Sequence, residues 1–473
     1  FAEKAEAYGL DQQALGTHSL FFDYDGDGDL DVYLLNSSVH EATLSRSQKG
    51  LADSEQAGDR LYRNDGGTFV EVTEEAGLHS SRLGYGLGVA ASDLDGNGCP
   101  DLYVANDFIE NDYLYYNNCD GTFTEAIGEA TGHVSYSSMG VDAADYNNDG
   151  RPDLAVLDML PTTTERLKTT DVVAPYDPER MKKELGYHYQ FRRNTLQLNR
   201  GNKRFSDIGL LAGVAATNWS WAPLFADLNN DGRKDLFVTN GIYQRPNDMD
   251  YIEHASKPQV MQSLSEGMTK ADMKLLERMP HEPVSNFAFF NEGDLTFADS
   301  TSAWGLDRPS FSNGAAYADL NNDGSLDLVV NNVNGPASIY ENRSDSLRDH
   351  HFLTVRLAGT GKNTQGIGAK VTVYQGDRSQ MLEQMPSRGF QSSVDPRLHF
   401  GLGTRRIDSL TVVWPDGRTE TRTSVAPNQI LTLHQSDART PQPTPASSAS
   451  PPLFHPVDDA LGIDFRHREN TPY

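Results

Sequence analysis

Apolar positions in this chain come in short runs. Five of them, DVYLLN (31–36), DLYVAN (101–106), DLAVLD (153–158), DLFVTN (235–240) and DLVVNN (327–332), read as β-rich strands. Stretches of small residues lead up to them, as in GLGVAASD (86–93), SMGVDAAD (138–145), APLFAD (222–227) and NGAAYAD (313–319). A further strand follows in each case, as in RLYRND, YLYYNN, LQLNRG and FAFFNE, with an Asn and a turn near its end. A fourth element starts on Phe and carries an apolar residue or Gly nine positions later: FAEKAEAYGL (1–10), FVEVTEEAGL (69–78), FTEAIGEATG (123–132), FSDIGLLAGV (205–214) and FADSTSAWGL (297–306). Four antiparallel strands per unit, with small residues where backbones crowd toward an axis, predict the blades of a β-propeller.

Between the first two strands of every unit lies a polar loop: DYDGDGDLD (23–31), DLDGNGCPD (93–101), DYNNDGRPD (145–153), DLNNDGRKD (227–235) and DLNNDGSLD (319–327). Positions 1, 3, 5 and 9 are Asp or Asn, and position 6 is Gly. The first loop Asp follows the unit's Phe by 22, 24, 22, 22 and 22 residues, whereas successive loops are 70, 52, 82 and 92 residues apart. The unit is therefore constant and the insertions vary. Clustered carboxylates repel unless a cation sits among them, and calcium takes six to eight hard oxygens. Side chains 1, 3, 5 and 9, with the carbonyl of position 7, would form such a shell, and Gly at 6 allows the sharp turn. Position 12 is Leu34, Val104, Val156, Val238 or Val330, and a strand follows it, so an EF-hand is excluded. Solvated Asx–Gly turns without metal would not require four-position agreement in five copies.

The loops and the strands after them resemble FG-GAP/VCBS repeats over about residues 1–343. The resemblance implies an integrin-like propeller of seven blades, five of them visible here, and calcium ligands in the loops. These ligands would be Asp23, Asp25, Asp27 and Asp31; Asp93, Asp95, Asn97 and Asp101; Asp145, Asn147, Asp149 and Asp153; Asp227, Asn229, Asp231 and Asp235; and Asp319, Asn321, Asp323 and Asp327. Position 7 carbonyls come from Asp29, Cys99, Arg151, Arg233 and Ser325. About five structural Ca²⁺ ions are expected, and the fold class is all-β, a calcium-binding propeller followed by a small C-terminal β domain.

That second domain is expected over 351–435. HFLTVRL, AKVTVYQG, LHFGLG, DSLTVVWPDG and QILTLHQ read as strands, and no calcium loop occurs among them. GIGAKVTVY (366–374), GFQSS (389–393), HFGLG (399–403) and VVWPDG (412–417) resemble the ASPIC/UnbV domain of cartilage acidic protein-like proteins. A Pro/Ser-rich linker (436–457) follows, and 458–473 looks like the start of another repeat series. Residues 1–10 read as a fourth strand with no blade in front of it. Either they complete blade five of a closed ring or the chain lacks upstream blades; the second fits a seven-bladed ring. Insertions fall at 37–58, 158–190 and 241–284, the last with a helix-like run at 259–279. YHYQFRRN (187–194) reads as a plug between blades or an anion- or sugar-binding patch, and Trp219 and Trp221 read as core.

Composition narrows the function. The chain has 473 residues, 37% apolar content and a formal charge of −27, which excludes nucleic-acid binding through phosphate neutralisation. No run of 18 apolar residues occurs, so no transmembrane segment is expected. The start on Phe1 reads as a processed chain or a fragment. Cys99 precedes one strand and Cys119 follows the next, so a hairpin centred near residue 109 predicts a disulfide. Calcium loops of the extracellular type bind with dissociation constants of roughly 10⁻⁴–10⁻³ M, which predicts an extracellular or cell-surface location. No catalytic motif stands out, and no catalytic residue is assigned. The expected function is a non-catalytic calcium-binding module that binds a protein or glycan on its loop face. A polysaccharide hydrolase or lyase on the same platform is the alternative.

Overall fold

The computed structural model describes residues 2–37, 58–81, 83–108, 110–170, 180, 182–257 and 277–440. The helix-like run at 259–279 lies almost wholly outside these residues, as do most of the 37–58 insertion, Phe1 and the segment 441–473. Four blades are antiparallel four-stranded sheets. Blade one is β1 (Gly16–Phe22), β2 (Asp31–Asn36), β3 (Arg60–Asn64) and β4 (Phe69–Glu71). Blade two is β5 (Gly86–Ser92), β6 (Asp101–Asn106), β7 (Tyr113–Asn117) and β8 (Phe123–Glu125). A two-stranded parallel pair, β9 (Val134–Ser135) and β12 (Gln190–Phe191), flanks blade three, which is β10 (Val141–Ala144), β11 (Asp153–Val156), β13 (Thr195–Asn199) and β14 (Phe205–Asp207). Blade four is β15 (Ser220–Ala226), β16 (Asp235–Asn240), β17 (Phe287–Asn291) and β18 (Phe297–Asp299). Blade five has three strands, β19 (Ser312–Ala318), β20 (Asp327–Asn332) and β21 (Ser338–Tyr340).

The first strand of each blade is innermost, and β1, β5, β10, β15 and β19 pack in that order. Small side chains in β5, β10 and β19 allow this close approach, and larger apolar residues of the second and third strands fill the spaces between blades.

The Phe element is shorter as a strand than its ten residues suggest. Only three residues pair, with Phe69, Phe123, Phe205 and Phe297 opposite Asn64, Asn117, Asn199 and Asn291. The remainder turns, forming the helical turns Ile127–Ala130 and Gly209–Ala212 in blades two and three. Within the 1–10 element Ala5–Tyr8 is a helical turn, which corrects the expectation of a strand. A Cβ on Gly9 (φ +77°) would come within 2.6 Å of the Phe69 carbonyl, so this turn lies against blade one. In blade five Ile339 is 68% exposed, while its register equivalents Leu61, Leu114, Leu196 and Ala288 are buried.

The Asn that ends each third strand, or in blade five lies two residues past it, joins neighbouring blades. Asn117, Asn199, Asn291 and Asn342 each donate through Nδ2 to their own loop at position 8 and to position 2 of the preceding blade's loop. Among the described residues Asn64 makes only the first of these bonds, to the Leu30 carbonyl at 3.0 Å. Asn199→Ala would leave two buried carbonyls unpaired, at Leu94 and Pro152, and is expected to cost about 2–3 kcal/mol. Asn64→Ala should cost about half as much. Urea unfolding of both variants checks the difference.

The C-terminal domain is a three-stranded sheet in the order β25 (Leu398–Gly403), β22 (His351–Ala358), β28 (Ile430–His434), and a four-stranded sheet in the order β24 (Arg378–Glu383), β23 (Lys370–Gln375), β26 (Ser409–Val413), β27 (Thr419–Thr423). The two sheets enclose one core centred on Val355, Val371, Phe400, Leu410 and Trp414. Strands β24 and β27 were not legible in the sequence pattern, being polar and half exposed. Among the described residues no helix is long and apolar enough to cross a membrane.

Candidate metal centres

Each loop winds back on its own amides. The carboxylate at position 1 accepts from the Gly at position 6 in all five: Asp23 from Gly28, Asp93 from Gly98, Asp145 from Gly150, Asp227 from Gly232 and Asp319 from Gly324. The N–H of position 7 donates to the side chain at position 5, as from Asp29 to Asp27 at 2.9 Å and from Cys99 to Asn97 at 2.8 Å. Arg151, Arg233 and Ser325 repeat this with Asp149, Asp231 and Asp323. Position 4 also matters, and the sequence pattern did not identify it. It lies at φ between +60° and +80° in every loop, and it is Gly26, Gly96, Asn148, Asn230 and Asn322, the residue types that reach this region most easily. Asn148 and Asn230 then donate to the position 6 carbonyl of the next loop, Gly232 and Gly324.

Position 9 is the most deeply buried. Asp31, Asp101, Asp153, Asp235 and Asp327 each accept from the N–H of the third-strand Asn, at 2.7–3.0 Å. Burial pushes the Asp31 carboxyl up to about 7, and those of Asp101 and Asp153 to about 8, with nearby loop carboxylates adding to the rise. Asp235 is pushed up by the same causes, and burial raises Asp23 to about 6. These sites disfavour the bare anions, and a divalent cation would reverse that preference.

The donor chemistry fits a hard cation. Carboxylate oxygens of Asp23, Asp25 and Asp27 lie within 4.8 Å of one another, as do those of Asp93, Asp95 and Asp101. Asn147, Asn229 and Asn321 replace one carboxylate in loops three to five with an amide oxygen. All-oxygen shells suit Ca²⁺ and offer nothing to soft metals. Loop two carries a further tether, a disulfide from Cys99 to Cys119 with its Cα atoms 5.8 Å apart.

The second domain rests on all five loops. Lys362 pairs with Asp29 at 2.5 Å in loop one, and Lys370 pairs with Asp93 in loop two. Met381 and Glu383 line a small cavity with Asp145 of loop three. His399 bonds the Asn230 side chain at 2.7 Å in loop four, and Arg397 donates to the Asp319 carbonyl in loop five. From this domain the segment 384–395 enters the propeller axis. Ser387 bonds His18 of β1 at 3.0 Å, Gly389 bridges Val141 of β10, and Phe390 packs on Trp221 of β15 at 4.9 Å. Asp395 N–H donates to Tyr317 of β19, and Glu383 accepts from Asp93 N–H beside β5. Gly389 has φ +74°, and a Cβ there would press within 3.2 Å of Ala222 and Leu224.

The acidic-loop end of the propeller is thus covered, which corrects the expectation that a ligand binds on the loop face. The described insertion segments emerge from the other end, after β11 and β16. YHYQFRRN lies there as a clasp: Gln190–Phe191 pairs with Val134–Ser135, and His188 N–H donates to Asn111 of blade two. Trp219 and Trp221 are partly buried against Phe390, in keeping with a core role.

Comparison with known proteins gives two family matches. The family described as "FG-GAP-like repeat" matches residues 23–104, 93–156 and 182–238, and "ASPIC and UnbV" matches 359–440. Cartilage acidic protein 1 of Xenopus tropicalis is 24% identical over 415 residues, covering 86% of this chain and 52% of that protein. The Homo sapiens protein of the same name is 24% identical over 363 residues, covering 74% and 44%. The chain spans about half the length of the curated relatives it matches. A solved Agrocybe aegerita lectin structure matches over 70% of this chain and 82% of its own, at 16% identity and a TM-score of 0.29.

Proposed function

The chain carries FG-GAP-like repeats followed by an ASPIC and UnbV domain, and on that premise we propose that it is a non-catalytic, extracellular binding module held in shape by about five Ca²⁺ ions. The observation that carries this reading is the fivefold recurrence of one all-oxygen cage, with three carboxylates converging within 4.8 Å in loops one and two. Ions of this affinity class fill at millimolar calcium and not at cytosolic levels, which favours an extracellular setting.

In this reading the ions are structural. The cages lie beneath the second domain, which touches loops one, two, four and five through Lys362, Lys370, His399 and Arg397. Ligand recognition falls to the opposite face, where the insertions after β11 and β16 vary while the blades repeat. The ligand class is a protein or glycan. The full chain, probed on a glycan and protein array in 1 mM calcium and again in EDTA, is expected to capture one ligand class in a calcium-dependent manner. Release of shortened polysaccharide, or capture that survives EDTA unchanged, would overturn the proposal.

A further inference from the structure

In the four-stranded blades one clamp closes the connection from the second strand to the third. The residue just before the third strand, Asp59, Asp112, Asn194 or Asn286, accepts through its side chain from the N–H of Asn36, Asn106, Asp158 or Asn240, at 2.8–2.9 Å. Blade five departs from this. Ser338 pairs with Val330 at the start of β21, so the clamp position falls on Ala337, which has no side-chain acceptor. Asn332 folds back instead, donating to the Pro336 carbonyl at 2.9 Å and to the Ser338 hydroxyl at 3.0 Å. Beside this tied-off turn lies an open groove of about 490 Å³ with Ala337 in its wall, within the size range of small-ligand sites.

Another wall of the groove is aromatic and comes in part from the insertion after β16. Tyr243 meets His281 at 4.3 Å and Phe311 at 5.2 Å between ring centroids, and His281 stacks on Phe311 at 4.5 Å. Backbone contacts fix the segments that carry these rings. Gly241 N–H donates to the Trp219 carbonyl at 2.9 Å, and a Cβ on Gly241 (φ +127°) would fall 2.8 Å from the Phe311 Cα, so only Gly lets this segment lie so close to Phe311. Val284 and Ser310 exchange N–H···O bonds at 3.0 and 2.9 Å, and Val333 N–H donates to the Phe311 carbonyl at 2.8 Å. Rings preset in this way lose little conformational freedom when a ligand lands on them.

The polar groups beside the rings are uncommitted. Among the described residues the Tyr243 and Tyr340 hydroxyls, the Arg308 guanidinium and the Asn334 amide make no hydrogen bond or ion pair, and all four residues line the groove. No described carboxylate lines it, although the chain carries 67 Asp and Glu residues.

We infer that this groove is a glycan-binding site, in which a pyranose lies on the Tyr243–His281–Phe311 rings while Arg308, Asn334 and the tyrosine hydroxyls bond its hydroxyl groups. This rests on the reading of the insertion face as the ligand-binding face, and it narrows the ligand from a protein or glycan to a glycan. A pyranose has a face of C–H groups that packs on aromatic rings. Its rim of hydroxyls both donates and accepts; Arg308 supplies donors, and the Asn334 amide and the tyrosine hydroxyls supply both kinds of partner. A peptide strand would pair along the β21 edge and would have no need of a ring platform.

The test is calorimetric titration of the full chain in calcium with four probes: cellotetraose, chitotetraose, mannotetraose and tetragalacturonate. At least one is expected to bind. His281→Ala and Arg308→Ala, both at exposed positions, should each weaken that probe about tenfold with the melting temperature unchanged. Ala337→Trp, which fills the groove from its wall, should abolish binding. Tyr189→Ala, on the blade-three clasp, should leave it as it was. No heat from any of the four probes, or binding that survives all three groove variants, would overturn the site. If a probe binds but ignores the groove variants, this site falls and the module reading stands. Capture of proteins alone on the array removes the glycan assignment and keeps the module; no capture of either class removes both.

Discussion

Chelation of calcium is expected to lower the melting temperature of this protein by several degrees, the largest effect of any single change in solvent. Sites with dissociation constants of roughly 10⁻⁴–10⁻³ M each contribute only about 0.4–1.4 kcal/mol at millimolar calcium. Five such sites sum to about 2–7 kcal/mol, comparable with the whole stability of many domains. The loss exceeds simple site emptying in one respect. Asp31, Asp101 and Asp153 are buried where burial disfavours their anions, so without a cation they must take up protons or expose themselves. Calorimetry in 1 mM calcium and in EDTA reads the shift directly. Asp101→Asn keeps the shape of the side chain, its bond to Asn117 N–H included, and removes a charge from loop two. It should weaken uptake at one site and leave the others. An unchanged melting temperature in EDTA, with no heat of calcium binding, would sink the metal assignment.

Arg388→Met should be the most damaging single substitution, at about 3–5 kcal/mol, because it strands a buried carboxylate. Arg388 is buried on the axial segment of the second domain and donates through Nη1 to Asp142 at 2.8 Å and to the Ala143 carbonyl at 2.9 Å, while its Nε reaches the Met385 carbonyl. Asp142 also accepts from Phe225 N–H of blade four. Burial holds the Asp142 carboxyl above its usual range even beside the arginine, so loss of the cation leaves it worse placed still. One ion pair therefore joins the second domain, blade three and blade four. Urea unfolding of Arg388→Met, Asp142→Asn and the double variant separates the pair from its surroundings: the double variant should lose less than the two single losses added together. Proteolysis near residues 344–350 should quicken in Arg388→Met as the second domain loosens. A single variant within about 0.5 kcal/mol of the parent would show that the axial segment is not an anchor.

Much of the fold was legible because it is local. The Phe-to-loop spacing, the Asp and Asn positions of the loop and the apolar runs after them all lie within one repeat. The repeated Asn at the end of the third strand was visible too, although its role was not. Its partner belongs to the preceding blade, as with Asn199 and the carbonyl of Leu94. The Phe element was misread as one long strand because its apolar residues suit either a strand or a short strand and a helical turn. Position 4 of the loop is Gly in loops one and two and Asn in loops three to five, and only its backbone angle showed what the two residues share.

By itself, then, the amino-acid order determined the repeat, the acidic cages, the strand content and the presence of a second β domain, since each depends on residues within a few turns or strands of one another. Only the tertiary structure decided which end of the propeller stays open. It placed Lys370 on Asp93 and Arg388 on Asp142, pairs 277 and 246 residues apart, so that the second domain covers the cages and enters the axis. No periodicity records such meetings, because they depend on how whole sheets pack and not on any residue's own neighbourhood.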